Sequence, residues 1–224
     1  MTKYKATNKT RAHVRYRLKD RTIVPGVTTI TGQIGWGKEA LIKWANNLGL
    51  KGIDSNKYTD DKADIGVLAH QFITDGLQGL ETDTGDFTKN QIDESENSVL
   101  SFYEWQKEHP IEPILIEAEL VSEEFKFGGK ADIYGKVNGR HELIDLKTGS
   151  GIYDEHIIQV AGGYRQLLIE NGYPVDRVRI LNIPRSEDER FIEELIGDKA
   201  CEVSWQIFKS CLDIYYAKKQ LKLK

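Results

Sequence analysis

The segment from Lys130 to Lys147, KADIYGKVNGRHELIDLK, constrains the fold more than any other part of the chain. Asn138-Gly139 lies between two stretches of alternating apolar and polar residues, and this dipeptide is the strongest short-range signal for a two-residue type I′ hairpin. If the residues that flank the turn form a cross-strand pair, the same register pairs Asp132 with Asp145. The sequence therefore predicts two carboxylates directly opposite each other on one face of a β-hairpin.

This arrangement of charges needs a reason. Residues directly opposite each other have Cβ atoms about 4.5–5.5 Å apart, and like charges at that distance are destabilising. Lys147 lies two positions after Asp145 and points to the same face, because side chains alternate along a strand. The opposite, apolar face holds Ala131, Ile133, Ile144 and Leu146. We therefore expect one face to belong to the core and the other to gather acids and a lysine.

Two interpretations of the charged face remain open. In the first, lysines neutralise the acids on a solvated sheet surface. In the second, the two carboxylates bind a hard divalent cation such as Mg²⁺ or Mn²⁺, and Lys147 makes the site suitable for phosphodiester hydrolysis. The second interpretation also predicts that, without metal, replacing Asp132 or Asp145 with Asn leaves stability unchanged or raises it.

The remaining patterns predict an α/β fold in which helices flank a four-stranded mixed sheet. The residues from Val27 to Ile30 are expected to be extended after a short hairpin. Residues 1–110 should form a basic arm, a hairpin and a helical part, and residues 111–224 the sheet and the last helix, all within one compact domain. The predicted helices are 38–50, 61–80, 88–109, 156–170 and 202–222, and the predicted strands are 114–122, 126–137, 140–147 and 177–183.

Charge is distributed unevenly along the chain. The net charge of −4 argues, taken alone, against binding to nucleic acid. However, residues 1–21 hold eight lysines and arginines, including Arg15 and Arg17, against one acid, while residues 81–124 hold thirteen acids against two lysines. We expect the basic arm to contact DNA, and the alternative is an ordinary solvated terminus.

Composition also narrows the setting. No apolar run approaches the roughly 18 residues of a membrane span, and no apolar segment follows the basic N-terminus as a secretory signal requires. The only cysteines, Cys201 and Cys211, cannot complete a four-thiolate zinc or iron–sulfur site. We therefore expect a cytoplasmic protein without a membrane span or an iron–sulfur cluster.

Two motifs resemble a known nuclease superfamily. The motif Gly-Gly-Lys-Ala-Asp132 is followed by Ile-Asp145-Leu-Lys147-Thr-Gly, with twelve residues between the two aspartates, and Gly66-Val-Leu-Ala-His70 lies upstream on a predicted helix. These motifs are similar to those of the PD-(D/E)XK superfamily, in the RecB-like branch of phage-type exonucleases, the mitochondrial genome-maintenance exonuclease and the CRISPR-adaptation nucleases. The resemblance implies a restriction-endonuclease-like core and a Mg²⁺-dependent DNA exonuclease of phage-like recombination, repair or replication. Its expected partners are DNA that is single-stranded or has a free end, and proteins of those processes.

The resemblance also implies the metal ligands. His70, Asp132, Asp145 and the backbone carbonyl of Leu146 would hold Mg²⁺ or Mn²⁺. Lys147 would then orient or activate the attacking water and stabilise charge in the transition state.

Further site residues are expected on the neighbouring elements. Glu117 is favoured as an additional acid, although Glu119 has the same strand parity. Lys130, opposite Lys147 in the hairpin register, is expected to contact phosphate. Gln159 and Tyr164 resemble the glutamine and tyrosine that follow the sheet in this branch, with Tyr164 expected to contact DNA. Their spacing is five residues instead of four, so either Gly162-Gly163 distorts the helix or Tyr164 is not the equivalent tyrosine.

Three other functions compete with the exonuclease. A structure-selective endonuclease would use the same site. A non-catalytic DNA-binding module would keep the fold, although the complete set of Asp132, Asp145 and Lys147 argues against it. A two-carboxylate glycosidase fits poorly, because acids in contact across adjacent strands leave too little room for a sugar.

Overall fold

Five strands form a mixed β-sheet in the order β1-β2-β3-β4-β5. A computed structural model describes residues 14–35 and 37–221, so Lys3, Lys5, Lys9 and Arg11 of the basic arm lie outside the described residues. β3 and β4 run parallel, and the other neighbouring strands run antiparallel. The strands are β1 (Ile111–Ser122), β2 (Phe127–Val137), β3 (Arg140–Lys147), β4 (Arg177–Asn182) and β5 (Ile192–Ile196).

The turn between β2 and β3 has the predicted conformation. Asn138 and Gly139 have φ values of 51° and 77°, as a type I′ turn requires at both central positions. The register that follows pairs Ile133 with Ile144. The two aspartates lie one position beyond this pair, as the sequence predicts.

Helices cover both faces of the sheet. Ile133 and Ile144 belong to an apolar cluster with Phe102 of α4, while their neighbours Tyr134 and Leu143 belong to a second cluster on the other face. Among the described residues, no helix is both long and apolar enough to cross a bilayer. The helices are α1 (Val27–Thr31), α2 (Lys38–Leu50), α3 (Ser55–Gln78), α4 (Lys89–Glu108), α5 (Asp154–Ile157), a π-helix (Ile158–Tyr164), α6 (Arg165–Glu170) and α7 (Asp198–Leu221).

The expectation of one apolar face and one charged face is therefore wrong in part. The face that carries the acids is also buried nearer the turn, where Tyr134 and Leu143 are 1% and 0% exposed. Only the end of this face that lies away from the turn gathers charge. The acids thus lie at the border of a core and are themselves buried.

The fifth strand was missed, so the expected count of four strands is wrong. β5 pairs antiparallel with β4 at the edge of the sheet, and only Ile196 of its five residues is buried, so its apolar pattern is weak. A buried arginine of the neighbouring strand holds β5 at this edge. Arg179 of β4 forms ion pairs with Glu142 of β3 and Glu193 of β5, which connects three adjacent strands.

The segment after Pro25-Gly26 is helical, so the expectation of an extended chain there is also wrong. The N–H of Ile30 donates to the carbonyl of Gly26 and closes the single turn of α1. Val27 and Ile30 are 1% and 0% exposed. Burial of these two side chains in the core overrides the low helix propensity of β-branched residues.

α3 begins six residues earlier than predicted because of a cap. The carboxylate of Asp54 accepts hydrogen bonds from the N–H groups of Asn56 and Lys57, which satisfies donors that the first turn leaves without partners. The helix ends at Gly79, whose φ of 70° closes it in the left-handed conformation. The additional turns place Tyr58 on the same helix as His70.

Two adjacent glycines allow α7 to approach the π-helix closely. A Cβ added at Gly162 would lie 2.6 Å from the carbonyl oxygen of Ser204 and 3.0 Å from the Cβ of Phe208, both on α7. A Cβ at Gly163 would lie 2.6 Å from Val27 of α1. This glycine pair therefore permits the π-helix to contact both α7 and α1 closely.

Replacing Gly162 with Ala should lower the free energy of unfolding by about 1–3 kcal/mol, because the added methyl group overpacks a rigid backbone contact. Gly49→Ala is the matched control, since a Cβ there meets nothing within 4 Å and alanine favours a helix over glycine. Urea denaturation of both variants measures the difference. Equal stability of the two variants would contradict the close approach.

Candidate active site

Three side chains from three different elements converge at the charged end of the sheet. His70 of α3, Glu117 of β1 and Asp132 of β2 each offer one ligand atom, and these atoms all lie within 4.8 Å of one another. The Nδ1 of His70 lies 3.5 Å from the Oδ2 of Asp132. All three residues line one open cleft of about 1700 Å³.

The backbone at Glu117 is unusual. The pairs Ile116–Ile133 and Ala118–Ala131 flank it in the ladder, so Glu117 lies beside Asp132 across the strands. Its φ of 52° is in the left-handed region, which is costly for a residue with a Cβ and often marks a functional site. Its carboxylate forms an ion pair with Lys130.

Of the two candidate acids on β1, the structure brings Glu117 to the site. Glu119 is exposed and lies outside the residues that line the cleft. Alternation along the strand predicts the same face for both acids, so parity alone does not separate them. The left-handed backbone at Glu117 is a local feature that no residue pattern in the sequence indicates.

Asp145 is held by Lys147 and lies outside the group of three. The Nζ of Lys147 is 2.5 Å from the Oδ2 of Asp145, and Asp145 is 1% exposed. The structure therefore groups His70 and Asp132 with Glu117, where the expected ligand set had Asp145. At Leu146 it is the N–H that contacts the site, donating to the Oδ2 of Asp132 at 3.0 Å.

The two aspartates are shifted in opposite directions. Burial alone would raise the pKa of Asp132, but the charge and hydrogen bond of His70, the charge of Lys147 and the N–H of Leu146 outweigh it and lower the pKa to about 2. For Asp145, burial and the negative charge of Asp132 outweigh Lys147 and raise the pKa to about 6. Of the two adjacent carboxyl groups, Asp145 is therefore the one whose ionised form the native state disfavours.

The five-residue spacing of Gln159 and Tyr164 is explained by the π-helix. In a π-helix the repeat is i→i+5, so the two side chains lie on one side, and the Nε2 of Gln159 donates to the hydroxyl of Tyr164 at 2.8 Å. Of the two alternatives that the spacing left open, distortion of the helix at Gly162-Gly163 is the one observed.

Tyr164 lines the cleft but is almost completely buried. It is 8% exposed, which leaves little surface for the expected contact with DNA. Burial raises the pKa of its hydroxyl well above the ordinary value, and the charges of Asp145 and Asp132 raise it further. The neutral hydroxyl therefore lies close to both carboxylates.

The predicted basic contacts are only partly brought to the site. Lys130 and Lys147 both line the cleft. In the sheet ladder Lys130 lies opposite Glu119 of β1 and Lys147 beside Asn182 of β4. Arg15 and Arg17 are exposed and do not line the cleft, whereas the residue between them, Tyr16, does.

One residue near the site was missed by the sequence reasoning. His156 lines the cleft, and burial, together with the charge of Lys147, lowers its pKa to about 4. His156 is therefore neutral near pH 7. Its position three residues before Gln159 on the same helical segment was the available signal, since residues three apart share a face.

The chain is similar to solved structures of exonucleases at low sequence identity. No family model matches the chain, and no curated protein matches it. Among solved structures, it is similar to a provisionally named exonuclease of Eubacterium rectale, with 13% identity over 65% of this chain and 64% of that chain and a TM-score of 0.47. It is also similar to the alkaline exonuclease LHK-Exo of Laribacter hongkongensis, with 16% identity over 70% of this chain and 84% of that chain and a TM-score of 0.33. At this level of likeness, function must follow from the chain's own site.

The opposite pKa shifts correct the expectation that both Asn variants behave alike. In EDTA at pH 7.5, Asp145→Asn should raise the melting temperature, because the native state disfavours the ionised form of this group. Asp132→Asn should lower it, because the native state favours the ionised form. Each effect should be at most about 3 kcal/mol, because one pKa unit corresponds to about 1.4 kcal/mol.

The pH dependence checks the assignment of each shift. The gain from Asp145→Asn should be full above about pH 6 and vanish below the ordinary value of 3.8. The loss from Asp132→Asn should be full above 3.8 and vanish as the pH falls to about 2. Melting temperatures that shift in the same direction for both variants at pH 7.5 would refute the asymmetry.

Proposed function

We propose that this protein is a metal-dependent DNA nuclease that hydrolyses phosphodiester bonds from a DNA end. The observation that carries the proposal is the convergence of His70, Glu117 and Asp132 in an open cleft, with Asp145 and Lys147 on the next strand. A surface charge ladder would not need a histidine from a separate helix. It would also not need acids that are almost completely buried.

The residues fit a divalent cation. Oxygen donors about 2.1 Å from one Mg²⁺ lie at most about 4.2 Å apart, and the ligand atoms of the three residues lie within 4.8 Å of one another. Small inward movements would suffice to surround an ion, and carboxylates are ligands that Mg²⁺ and Mn²⁺ prefer. When bound, the cation would lower the pKa of a water molecule and neutralise charge on the phosphate.

The chain's own residues supply the remaining chemistry. Lys147 keeps an ammonium group beside the acids, and its contact with Asp145 fixes the direction of the side chain. From there it would donate hydrogen bonds to the attacking water and to the phosphate oxygen on which charge develops. Gln159 and Tyr164 also line the cleft, and their mutual hydrogen bond fixes the direction of both side chains.

The finer features of the proposal rest on the resemblance in sequence. Exonuclease action, a role in recombination, repair or replication, and partner proteins of those processes are what the RecB-like motifs imply. A cytoplasmic location agrees with Cys201 and Cys211 being free and buried thiols. An endonuclease with the same site remains the alternative that the substrate test below distinguishes.

Asp132→Asn, Asp145→Asn and Lys147→Ala should each reduce hydrolysis by at least about 100-fold and leave DNA binding nearly unchanged, because they remove metal binding or water activation. The assay uses end-labelled linear DNA and covalently closed circles with Mg²⁺, Mn²⁺ or EDTA. We expect linear DNA to be degraded and circles to be spared.

Two outcomes would change this conclusion. Cutting of circles at the rate of linear DNA would favour the endonuclease. A variant that keeps more than a tenth of wild-type turnover would remove that residue from the catalytic set.

Glu117→Gln and His70→Ala should raise the metal concentration needed for half-maximal activity by roughly 10-fold or more, because each removes a candidate ligand. Glu119→Gln is the matched control on the same strand and should behave as wild type. Titration with Mn²⁺ measures the difference. Identical titrations for Glu117→Gln and Glu119→Gln would exclude Glu117 from the metal site.

A further inference from the structure

One end of the cleft is lined by exposed apolar side chains that form no part of the core. This surface, here called the aromatic wall, consists of Leu41 and Trp44 of α2 and Tyr58 of α3, all of which line the cleft. They are 58%, 39% and 41% exposed. Leu41 and Trp44 lie three positions apart on one face of α2, and α2 contains no buried residue.

The geometry of the wall favours flat ligands. The rings of Trp44 and Tyr58 meet edge to face, with centroids 6.0 Å apart and an interplanar angle of 63°. The Nζ of Lys62 lies 6.0 Å from the centre of the Tyr58 ring and forms an ion pair with Glu94 at 2.6 Å. A partly exposed aromatic surface beside a cation is the composition of single-strand binding sites, where bases stack and phosphates are neutralised.

The wall and the candidate active site belong to one continuous surface. Tyr58, Lys62, Gly66 and His70 follow each other at four-residue spacing along α3, and all line the cleft. Twelve residues of helix separate Tyr58 from His70, which is about 18 Å along the axis at 1.5 Å per residue. A few nucleotides of extended strand would connect the two positions.

We propose that unpaired bases of single-stranded DNA stack on Trp44 and Tyr58, so that the strand held for hydrolysis enters the cleft in single-stranded form. The proposal rests on the proposed nuclease function and adds the form of its substrate. A duplex presents its bases paired and stacked on one another, with free ring faces only at its end. The continuity of the wall with the acids favours the substrate over a second copy of the chain as its occupant.

Binding measured without hydrolysis tests the wall directly. In EDTA, Trp44→Ala should weaken binding of a fluorescein-labelled twelve-nucleotide oligothymidylate roughly 10-fold, and Trp44→Phe should weaken it less. Ile42→Ala is the matched control, because Ile42 is 70% exposed on the same helix and does not line the cleft. Binding of a blunt duplex should be the same for wild type and Trp44→Ala.

A second arm compares two oligonucleotides on the wild-type protein, so its main result does not depend on the folding of a variant. An oligonucleotide of the same length and charge with abasic sites should bind roughly 10-fold more weakly than oligothymidylate, and Trp44→Ala should weaken it no further. Equal affinity for the two oligonucleotides, or equal affinity of wild type and Trp44→Ala for oligothymidylate, would overturn the proposal.

The remaining outcomes separate this proposal from its alternatives. Sedimentation that shows a wild-type dimer dissociated by Trp44→Ala would make the wall an interface between copies and overturn the proposal. Failure of the nuclease function would be seen separately, as no hydrolysis by wild type with Mg²⁺ or Mn²⁺ while the base-dependent binding persists.

Discussion

The two-residue turn at Asn138-Gly139 is the constraint on which the site depends. Both residues adopt positive φ, and a turn of this type allows only one register for the strands that it joins. That register brings Asp132 and Asp145 to neighbouring positions, and the ladder to β1 adds Glu117 on the other side. Three acids thus form a row across three strands, and one local turn places two of them.

Such a row is stable only because of groups that come from elsewhere. His70 and the N–H of Leu146 stabilise the charge of Asp132, and Lys147 partly stabilises that of Asp145. The compensation is incomplete, since burial still raises the pKa of Asp145. Because the ionised form of Asp145 is still disfavoured, a cation bound at this site would stabilise the native state.

Patterns that depend on near neighbours in the chain predicted well. The hairpin, four of the five strands and the positions of the long helices follow from turn chemistry and apolar periodicity. α4 shows this most clearly, because Thr88 and Gln91 form the reciprocal cap that begins it. The register that the turn sets also predicts that Asp132, Asp145 and Lys147 lie on one face of the hairpin.

The features that were missed depend on distant parts of the chain. α1 is helical because of what buries it, and β5 is located by the buried side chain of Arg179. The five-residue repeat from Gln159 to Tyr164 depends on a glycine pair that fits against α7. The left-handed backbone at Glu117 and the exposure of Trp44 likewise result from packing, which periodicity does not encode.

The sequence positions of the site residues have a consequence for folding. Asp132 and Asp145 meet when a hairpin with a two-residue turn closes, whereas His70 lies sixty-two positions before Asp132. The entropy cost of closing a loop grows with its length, so the order of closure favours the acid pair first and its histidine partner later. During folding, the two carboxylates therefore face each other in solvent until α3 reaches the sheet. The helix that stabilises the charge of Asp132 therefore joins the pair only after the hairpin has formed, so the site is completed by tertiary packing and not by the hairpin alone.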